Sequence, residues 1–447
     1  MVTKNTYIGV LLISTSLLIF SCKKTKEDVV NPQPVAAISA PASSYDNEMP
    51  TNWLKLHLFL IKDTPGYAPP VAARSLAYAS LALYESVVSG MPQNMSLSGQ
   101  LNGISGLPQP DSTLEYNWAL AASTSQYTIL REFFKTTSDK NQVAIDSVRK
   151  FYEAKLKVGS SDPTIERSIR LGSEIALKIF EISKKDGGQD GQVANFPANY
   201  VSPGGIGSWK PTGSQVIPLL PYWGSNKTMA SENLKNNLET PLTFSFEKNS
   251  AFFAEAKNVY FVSQNLTSEQ KQIALYFADG GGTITPPGHH FNIANIIVKK
   301  EKATLDKVAE VFVKVGLSLN DAFISAWRGK YEYNLMRPST YITQSIAKTW
   351  SPFLTNPPFP EYASGHSTAA GATVEVLESI FGKTYAFEDN TYSPQYPNRK
   401  FDNFEAYGQE TSLSRVYGGI HYRFSCDNGY ACGRKVAKNI LNLKFKK

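Results

Sequence analysis

The sequence is poor in the residue types that build disulfide-linked and metal-held scaffolds. Its 447 residues contain 3 Cys and 5 His, which excludes a disulfide-rich scaffold and a zinc site built on several Cys. Charge of one sign is also scarce, because 45 Lys and Arg stand against 38 Asp and Glu and the surplus is spread along the chain. Such a dilute surplus forms no basic patch, so no nucleic-acid partner is expected.

Long apolar runs are absent after the first residues of the chain. Residues 7–20 are almost wholly apolar or small and follow Lys4, but they are too short to span a bilayer as a helix, which predicts a secretory signal. The run ends at Ser21-Cys22 and resembles a bacterial lipoprotein signal, in which Cys22 is lipidated after cleavage. An ordinary secretory signal with an incidental Cys is the alternative. We expect a signal peptide over residues 1–21 and an exported outer-membrane lipoprotein on the periplasmic or cell-surface side, held to the membrane only through Cys22.

The segment after Cys22 has the composition of a tether. Residues 23–28 are mostly charged, and residues 31–50 carry four Pro among Ser and Ala, a mixture typical of extended linkers. We therefore assign residues 22–50 to a tether and residues 51–447 to one large folded domain. With 42% hydrophobic residues, 24 Phe and 23 Tyr, the chain has ample apolar surface for a core.

The domain has the periodicity of helices. Leu76, Ala79, Leu83 and Val87 recur at spacings of three and four. Similar patterns predict helices over Ala72–Val88, Ser112–Phe134, Asn141–Leu156, Ile165–Ser183, Ser268–Phe277 and Asp306–Lys330. Residues 186–225 are rich in Gly and Pro and predict a long irregular segment that covers the bundle. Because no strand pattern competes with the helical segments, we predict an all-α, bundle-like fold.

Three short motifs in the last third of the chain, about residues 300–447, carry the chemistry. They are Lys330 with Arg337-Pro338, then Ser364-Gly365-His366, then Ser414-Arg415 with His421. Together they supply three cations, hydroxyl and backbone donors and two imidazoles, which suits a tetrahedral oxyanion such as phosphate or vanadate. Lys330 follows Phe323 and Trp327 on one helix face and should point inward.

The middle motif is expected to begin a helix. Val374 and Leu377 mark the buried face of the run that follows Ser364-Gly365, and Gly382 ends it. The anion would then meet a helix N-terminus with free N–H groups and a favourable dipole. Of the two His residues, one should contact the central atom through a neutral ring nitrogen and the other should move protons.

The order and spacing of these motifs resemble the shared signature of vanadium-dependent haloperoxidases and type 2 phosphatidic acid phosphatases. The resemblance implies a helical bundle of the haloperoxidase and acid phosphatase type with vanadate as cofactor. It makes His421 the vanadium ligand or the phosphatase nucleophile, and His366 the acid–base group. It assigns the oxyanion oxygens to Lys330, Arg337, Ser364, Gly365 and Arg415, with Lys330 also polarising the reacting oxygen. Trp327 and Phe359 fall where such haloperoxidases place aromatic residues near the halide.

The resemblance implies oxidation of a halide by hydrogen peroxide to hypohalous acid, with iodide or bromide used more readily than chloride. One alternative is a periplasmic phosphomonoesterase that needs no cofactor and forms a phosphohistidine at His421. The other is a surface lipoprotein that binds phosphate or vanadate without turnover.

Two positions depart from the family pattern. Ala363 stands where Pro often precedes Ser-Gly-His, and Ser425 stands where an Asp commonly orients the last His. Without this Asp, the ring of His421 lacks its usual hydrogen-bond acceptor, and we expect Asp427 or a backbone carbonyl to take that role.

The remaining His and Cys residues have plainer interpretations. His289 and His290 follow Pro286-Pro287-Gly288, which predicts a turn. Because no carboxylate or Cys lies nearby in sequence, we expect packing roles for them and not a metal site. His289 is also a candidate to line the pocket. For Cys426 and Cys432, a disulfide and free thiols both remain open.

Overall fold

The computed structural model describes residues 39–235 and 237–447. In this part of the chain lie thirteen α-helices and one β-hairpin, so the all-α prediction is confirmed. The helices are α1 (Glu48–Asp63), α2 (Pro69–Val87), α3 (Trp118–Phe133), α4 (Asp139–Leu156), α5 (Asp162–Ser183), α6 (Ala251–Gln264), α7 (Ser268–Tyr276), α8 (Thr285–Lys300), α9 (Leu305–Tyr333), α10 (Pro338–Ser345), α11 (Gly365–Phe381), α12 (Phe404–Tyr417) and α13 (Arg423–Leu441). Strands β1 (Phe387–Asp389) and β2 (Arg399–Phe401) pair antiparallel, with Phe387 opposite Phe401.

The N-terminal predictions meet the structure only in part. The signal peptide, Cys22 and residues 23–38 of the tether lie outside the described residues. Ala42 and Met49 are buried and α1 begins at Glu48, inside the predicted tether. The folded part therefore begins earlier than the boundary after residue 50, because a Pro-rich composition does not report which side chains pack. Across residues 39–235 and 237–447, no helix is both long and apolar enough to cross a bilayer.

Most predicted helices appear close to their expected limits because their apolar stripes are long. Helix α3 begins at Trp118 and not at Ser112, since the Asn117 side chain accepts the Leu120 N–H and caps the helix there. Helix α8 contains His289 and His290, so the turn predicted for them is wrong. Proline in a first helical turn lacks only an N–H that would have no partner there, and Pro286 and Pro287 therefore start the helix.

The irregular segment covers the bundle as predicted. Trp209 and Trp223 are buried, the Trp209 N–H donates to the Asn334 carbonyl at 2.7 Å, and the Leu219 N–H donates to the Pro358 carbonyl at 2.8 Å. These bonds place the segment against the loops that carry the C-terminal motifs.

Helix α9 runs through the core and packs against α2, α11 and α13. Helices α11 and α13 approach each other through glycine: a Cβ on Gly371 would lie 2.1 Å from the Tyr430 carbonyl oxygen, and one on Gly433 would lie 2.0 Å from the Thr368 carbonyl oxygen. No larger residue fits there without moving a helix. This packing matters because α11 carries His366 and α13 begins two residues after His421.

Cys426 and Cys432 are both buried on α13 and are free, so the disulfide alternative is wrong. Burial raises the pKa of each thiol to about 12, which leaves both protonated and unreactive.

Candidate active site

Two of the three C-terminal motifs line one cavity of about 630 Å³. Lys330 is in the last turn of α9, Arg337 precedes α10, and Arg415 is in the last turn of α12. Of the predicted site residues, the cavity is lined by Gly365, His366, Arg415, His421, Trp327 and Phe359. Elements distant in sequence therefore bring both imidazoles to the same space.

Side-chain oxygens of Asn195, Thr285 and Asn356 on the cavity wall have no hydrogen-bond partner. Two more such atoms belong to the motifs, Nε2 of His366 and Nε of Arg415, both buried. The Arg415 guanidinium is held by one bond, from Nη1 to the Phe277 carbonyl at 2.6 Å. Since buried polar atoms are normally paired, these two atoms mark where a ligand would bind.

His421 is oriented by a carboxylate that sequence reasoning missed. Its Nδ1 lies 2.7 Å from Oε1 of Glu361, and the Tyr422 N–H donates to the same oxygen at 3.1 Å. Nη1 of Arg337 lies 3.4 Å from Nε2 and can only donate, so Nε2 is unprotonated and the ring proton sits on Nδ1, facing Glu361. Burial, with Arg337 and Lys330, lowers the pKa of His421 well below its usual range, and the ring is neutral as a metal ligand requires.

Glu361 takes the place of the family's Asp, so the prediction of Asp427 or a backbone carbonyl is wrong. Asp427 is paired with Arg423 on the surface at 2.8 Å and does not reach His421. Burial raises the pKa of Glu361, against the charges of Arg337 and Lys330 and, last, the hydroxyl of buried Ser425, which lower it. A sequence signal did exist, because Glu361 is the one acidic residue in the Pro- and aromatic-rich segment before Ser364-Gly365-His366.

Lys330 and Arg337 lie one layer behind the cavity wall. The Lys330 ammonium donates to the carbonyls of Pro360, Glu361 and Ala363 at 3.1, 3.1 and 2.7 Å. Arg337 donates from Nε to the Phe359 carbonyl at 3.0 Å, so both cations hold the same segment, residues 359–363.

The residues behind the cavity wall also contact His421 and the start of α11. Arg337 Nη1 donates to the Ile420 carbonyl at 2.8 Å and lies 3.4 Å from His421 Nε2. Ser364 caps α11, with its Oγ accepting the Ser367 N–H at 3.3 Å. Direct contact of Lys330, Arg337 and Ser364 with an oxyanion stays a prediction.

The electrostatics favour an anion. Burial lowers the pKa of Arg337 and of Arg415 to about 10, which leaves both charged at neutral pH. Burial and then Arg337 lower the pKa of Lys330. The N-terminus of α11 adds partial positive charge at Gly365.

Aromatic rings form one wall beside these cations. The ring centroids of Trp327 and Phe359 are 5.1 Å apart, and the Phe359 ring lies 4.9 Å from the Lys330 Nζ and 5.1 Å from the Arg337 Cζ. The wall keeps water from one side of the cavity. A halide at this wall stays a prediction.

Asp279 also lines the cavity and faces His366, with 3.9 Å between Oδ2 and Nε2. Asp279 is bound to His289, whose other ring nitrogen is bound to Asp389. His289 therefore has two carboxylate partners, contrary to the prediction: one lies ten residues earlier in the loop after α7, and the other lies 100 residues later in the hairpin. Within the described residues, no group of three or more His, Cys, Asp and Glu suits a metal ion.

Known proteins with this architecture identify its family. The model of the VCPO second helical-bundle domain matches residues 310–446. A bacterial vanadium-dependent iodoperoxidase structure has a TM-score of 0.80 and 32% identity, and the match covers 90% of this chain and 98% of that one. The chain therefore belongs to the vanadium haloperoxidase family.

A more distant solved structure has the same fold, and a further relative matches part of the chain in sequence. The holo-type bacterial vanadium-dependent chloroperoxidase has a TM-score of 0.62 and 15% identity over 83% of this chain and 91% of that one. The vanadium chloroperoxidase of Curvularia inaequalis is 25% identical over 34% of this chain, and the match spans 35% of that protein's length.

The cavity residues fit vanadate, an oxyanion of the metal on which these relatives depend. His421 offers an unprotonated Nε2, Arg415 offers an unpartnered Nε, and Gly365 offers a helix N-terminus without a side chain. A neutral imidazole beside oxyanion donors is the donor set that a metal oxyanion needs.

Proposed function

We propose that the protein is a vanadate-dependent haloperoxidase that uses hydrogen peroxide to oxidise iodide or bromide more readily than chloride. The observation that carries the proposal is the unprotonated Nε2 of His421, whose ring is held by Glu361 in a cavity beside the unpartnered Nε of Arg415 and an aromatic wall. Similarity to a bacterial vanadium-dependent iodoperoxidase over most of both chains supports it. Iodide and bromide are favoured because they are easier to oxidise than chloride.

The reaction consumes one halide ion, one hydrogen peroxide and one proton, and releases hypohalous acid and water. The O–O bond of the peroxide breaks, an oxygen–halogen bond forms, and the halide loses two electrons. When bound, vanadate would supply Lewis acidity that polarises a peroxide oxygen.

The residues of this chain have separate tasks in that reaction. His421 would hold the cofactor through Nε2, while Arg415 and the N-terminus of α11 would bind its oxygens. His366, neutral because burial and Arg415 lower its pKa, would take a proton from hydrogen peroxide and return it to the departing oxygen. Trp327 and Phe359 would desolvate the halide.

The test is a halide-dependent peroxidase assay on the vanadate-free protein, with and without added orthovanadate, beside a phosphatase assay. We expect iodide oxidation only after vanadate is added, and no vanadate binding in His421→Ala. Full peroxidase activity in His421→Ala would contradict the assignment. Rapid hydrolysis of a phosphate ester by vanadate-free protein, without halide oxidation after vanadate, would favour the phosphomonoesterase. Tight phosphate binding without either activity would favour the non-catalytic lipoprotein.

We also propose that the protein is an exported lipoprotein anchored through Cys22, on the basis of the apolar run that ends at this residue. Metabolic labelling with a radioactive fatty acid should mark the wild-type protein and not Cys22→Ala. Equal labelling of both would contradict the anchor.

A further inference from the structure

A chain of buried hydrogen bonds leads from the hairpin to the cavity. Nε2 of His289 lies 2.8 Å from Oδ2 of Asp389, and Nδ1 of His289 lies 3.0 Å from Oδ1 of Asp279. All three side chains are at most 1% exposed. Asp389 ends β1, His289 lies on α8 and Asp279 lies in the loop after α7, so the fold assembles this chain from separate elements.

The two carboxylates decide the charge of His289. A neutral imidazole carries one N–H and an ionised carboxylate only accepts, so both bonds can form together only when the ring is an imidazolium. Burial alone would lower the pKa of His289, but Asp279 and Asp389 outweigh it and raise the pKa to about 10. In turn, against the burial that raises them, His289 lowers the pKa of both carboxyls.

The cavity end of the chain is fixed by further contacts. The Tyr392 hydroxyl donates to Oδ1 of Asp279. The Phe277 ring stacks on His289 with centroids 5.4 Å apart and shields the ion pair from water. Oδ2 of Asp279 faces Nε2 of His366 at 3.9 Å, beyond direct hydrogen-bond distance.

Asp279 and Arg415 shift the pKa of His366 in opposite directions. Burial and then Arg415 lower the pKa of His366, whereas the charge on Asp279 raises it. If Asp279 were neutral or displaced, His366 would face a cation in a dry site and would resist protonation.

We propose that His289 and Asp389 are positioning residues that hold the Asp279 carboxylate charged and in place beside His366, so that His366 can carry a proton during turnover. The catalytic part of this inference rests on the proposed function, while the charge state of His289 does not.

The charge state is tested on vanadate-free protein labelled with ¹⁵N-histidine. The chain has 5 His. Burial lowers the pKa of His57 and His290 to about 3, and those of His366 and His421 are also low, so all four should be neutral at pH 8. We expect one ring with both nitrogens protonated at pH 8. A spectrum with no such ring overturns the inference, whatever the peroxidase assay shows.

The positioning role is tested with Asp389→Asn, which keeps the side-chain shape and removes the charge. We expect kcat for iodide oxidation to fall by about tenfold or more, as for other partners of reacting groups, with the KM for iodide and the affinity for orthovanadate within about twofold of wild type.

The matched control is Asp321→Asn, because Asp321 is also fully buried and accepts the Met229 N–H at 2.7 Å, away from the cavity. Asp321→Asn should lower the Tm and leave kcat within about twofold, since it loses only a structural acceptor. The positioning role is overturned if kcat falls no further in Asp389→Asn than in Asp321→Asn, or if the vanadate affinity falls in step with kcat.

Discussion

Glu361→Gln should weaken vanadate binding, because the carboxylate is what keeps the His421 proton on Nδ1. The Nδ1–Oε1 distance is 2.7 Å, with side chains that are 3% and 0% exposed, so this is a buried, charge-assisted bond. Such bonds contribute about 1.5–3 kcal/mol, and a Gln amide can also turn its NH₂ toward Nδ1 and leave Nε2 protonated. At about 1.4 kcal/mol per tenfold, we expect the affinity to fall by about 10- to 100-fold. Calorimetric titration of the vanadate-free protein with orthovanadate measures this.

Two further variants separate the orientation of His421 by Glu361 from the general effect of losing a buried carboxylate. Glu310→Gln removes another buried carboxylate with two Lys partners, at 2.6 and 2.9 Å, and should leave the vanadate affinity unchanged. Ser425→Asp added to Glu361→Gln should recover part of the affinity. Residue 425 is buried next to Glu361, so the new Asp would return a carboxylate close to His421. If Glu361→Gln binds orthovanadate as tightly as wild type, Glu361 does not orient His421.

Other changes should separate the roles of the remaining residues. His366→Ala should lower kcat for iodide oxidation by about 10²- to 10⁴-fold and leave orthovanadate affinity near wild type, since a proton carrier is lost and not a ligand; a matching loss of affinity would contradict this. Phe359→Ala should raise the KM for iodide by about tenfold with a smaller change in kcat, because water enters the aromatic wall; an unchanged KM would remove Phe359 from the halide site. Glu310→Gln should lower the Tm at neutral pH. Against the burial that raises it, Lys314 and Lys446 lower the pKa of Glu310 to about 2. Its stabilisation is therefore present above the unfolded-state pKa of about 4.3 and is lost as the pH falls toward about 2. If the Tm of Glu310→Gln lies below that of wild type by the same amount at neutral pH and near pH 2, the ion pairs are not the cause.

The sequence predicted those parts of the fold whose signal is periodic. Helices α2, α5 and α9 bury long apolar stripes, and their limits lie within a few residues of the predicted ones. Helix α8 was misread because its first turn contains Pro and Gly, which also start turns. The hairpin has strands of only three residues, too short for alternation to show.

The site was predictable where its chemistry is contiguous in sequence and not where it depends on remote partners. Gly365, His366, Arg415 and His421 lie in short motifs, and all four line the cavity. Glu361 is 60 residues from His421, and Asp389 is 100 residues from His289, so neither pair leaves a local pattern. The three acceptors of Lys330 are backbone carbonyls, which have no residue signature at all.

The two glycines between α11 and α13 have a consequence for how related chains should be compared. A methyl group at Gly371 or Gly433 would act as a wedge between the helices and would separate the imidazoles without altering any reacting group. A chain could thus keep every motif residue and still be inactive. Residues that never approach the reactants set the spacing of those that do, and a comparison confined to the reactive side chains would overlook them.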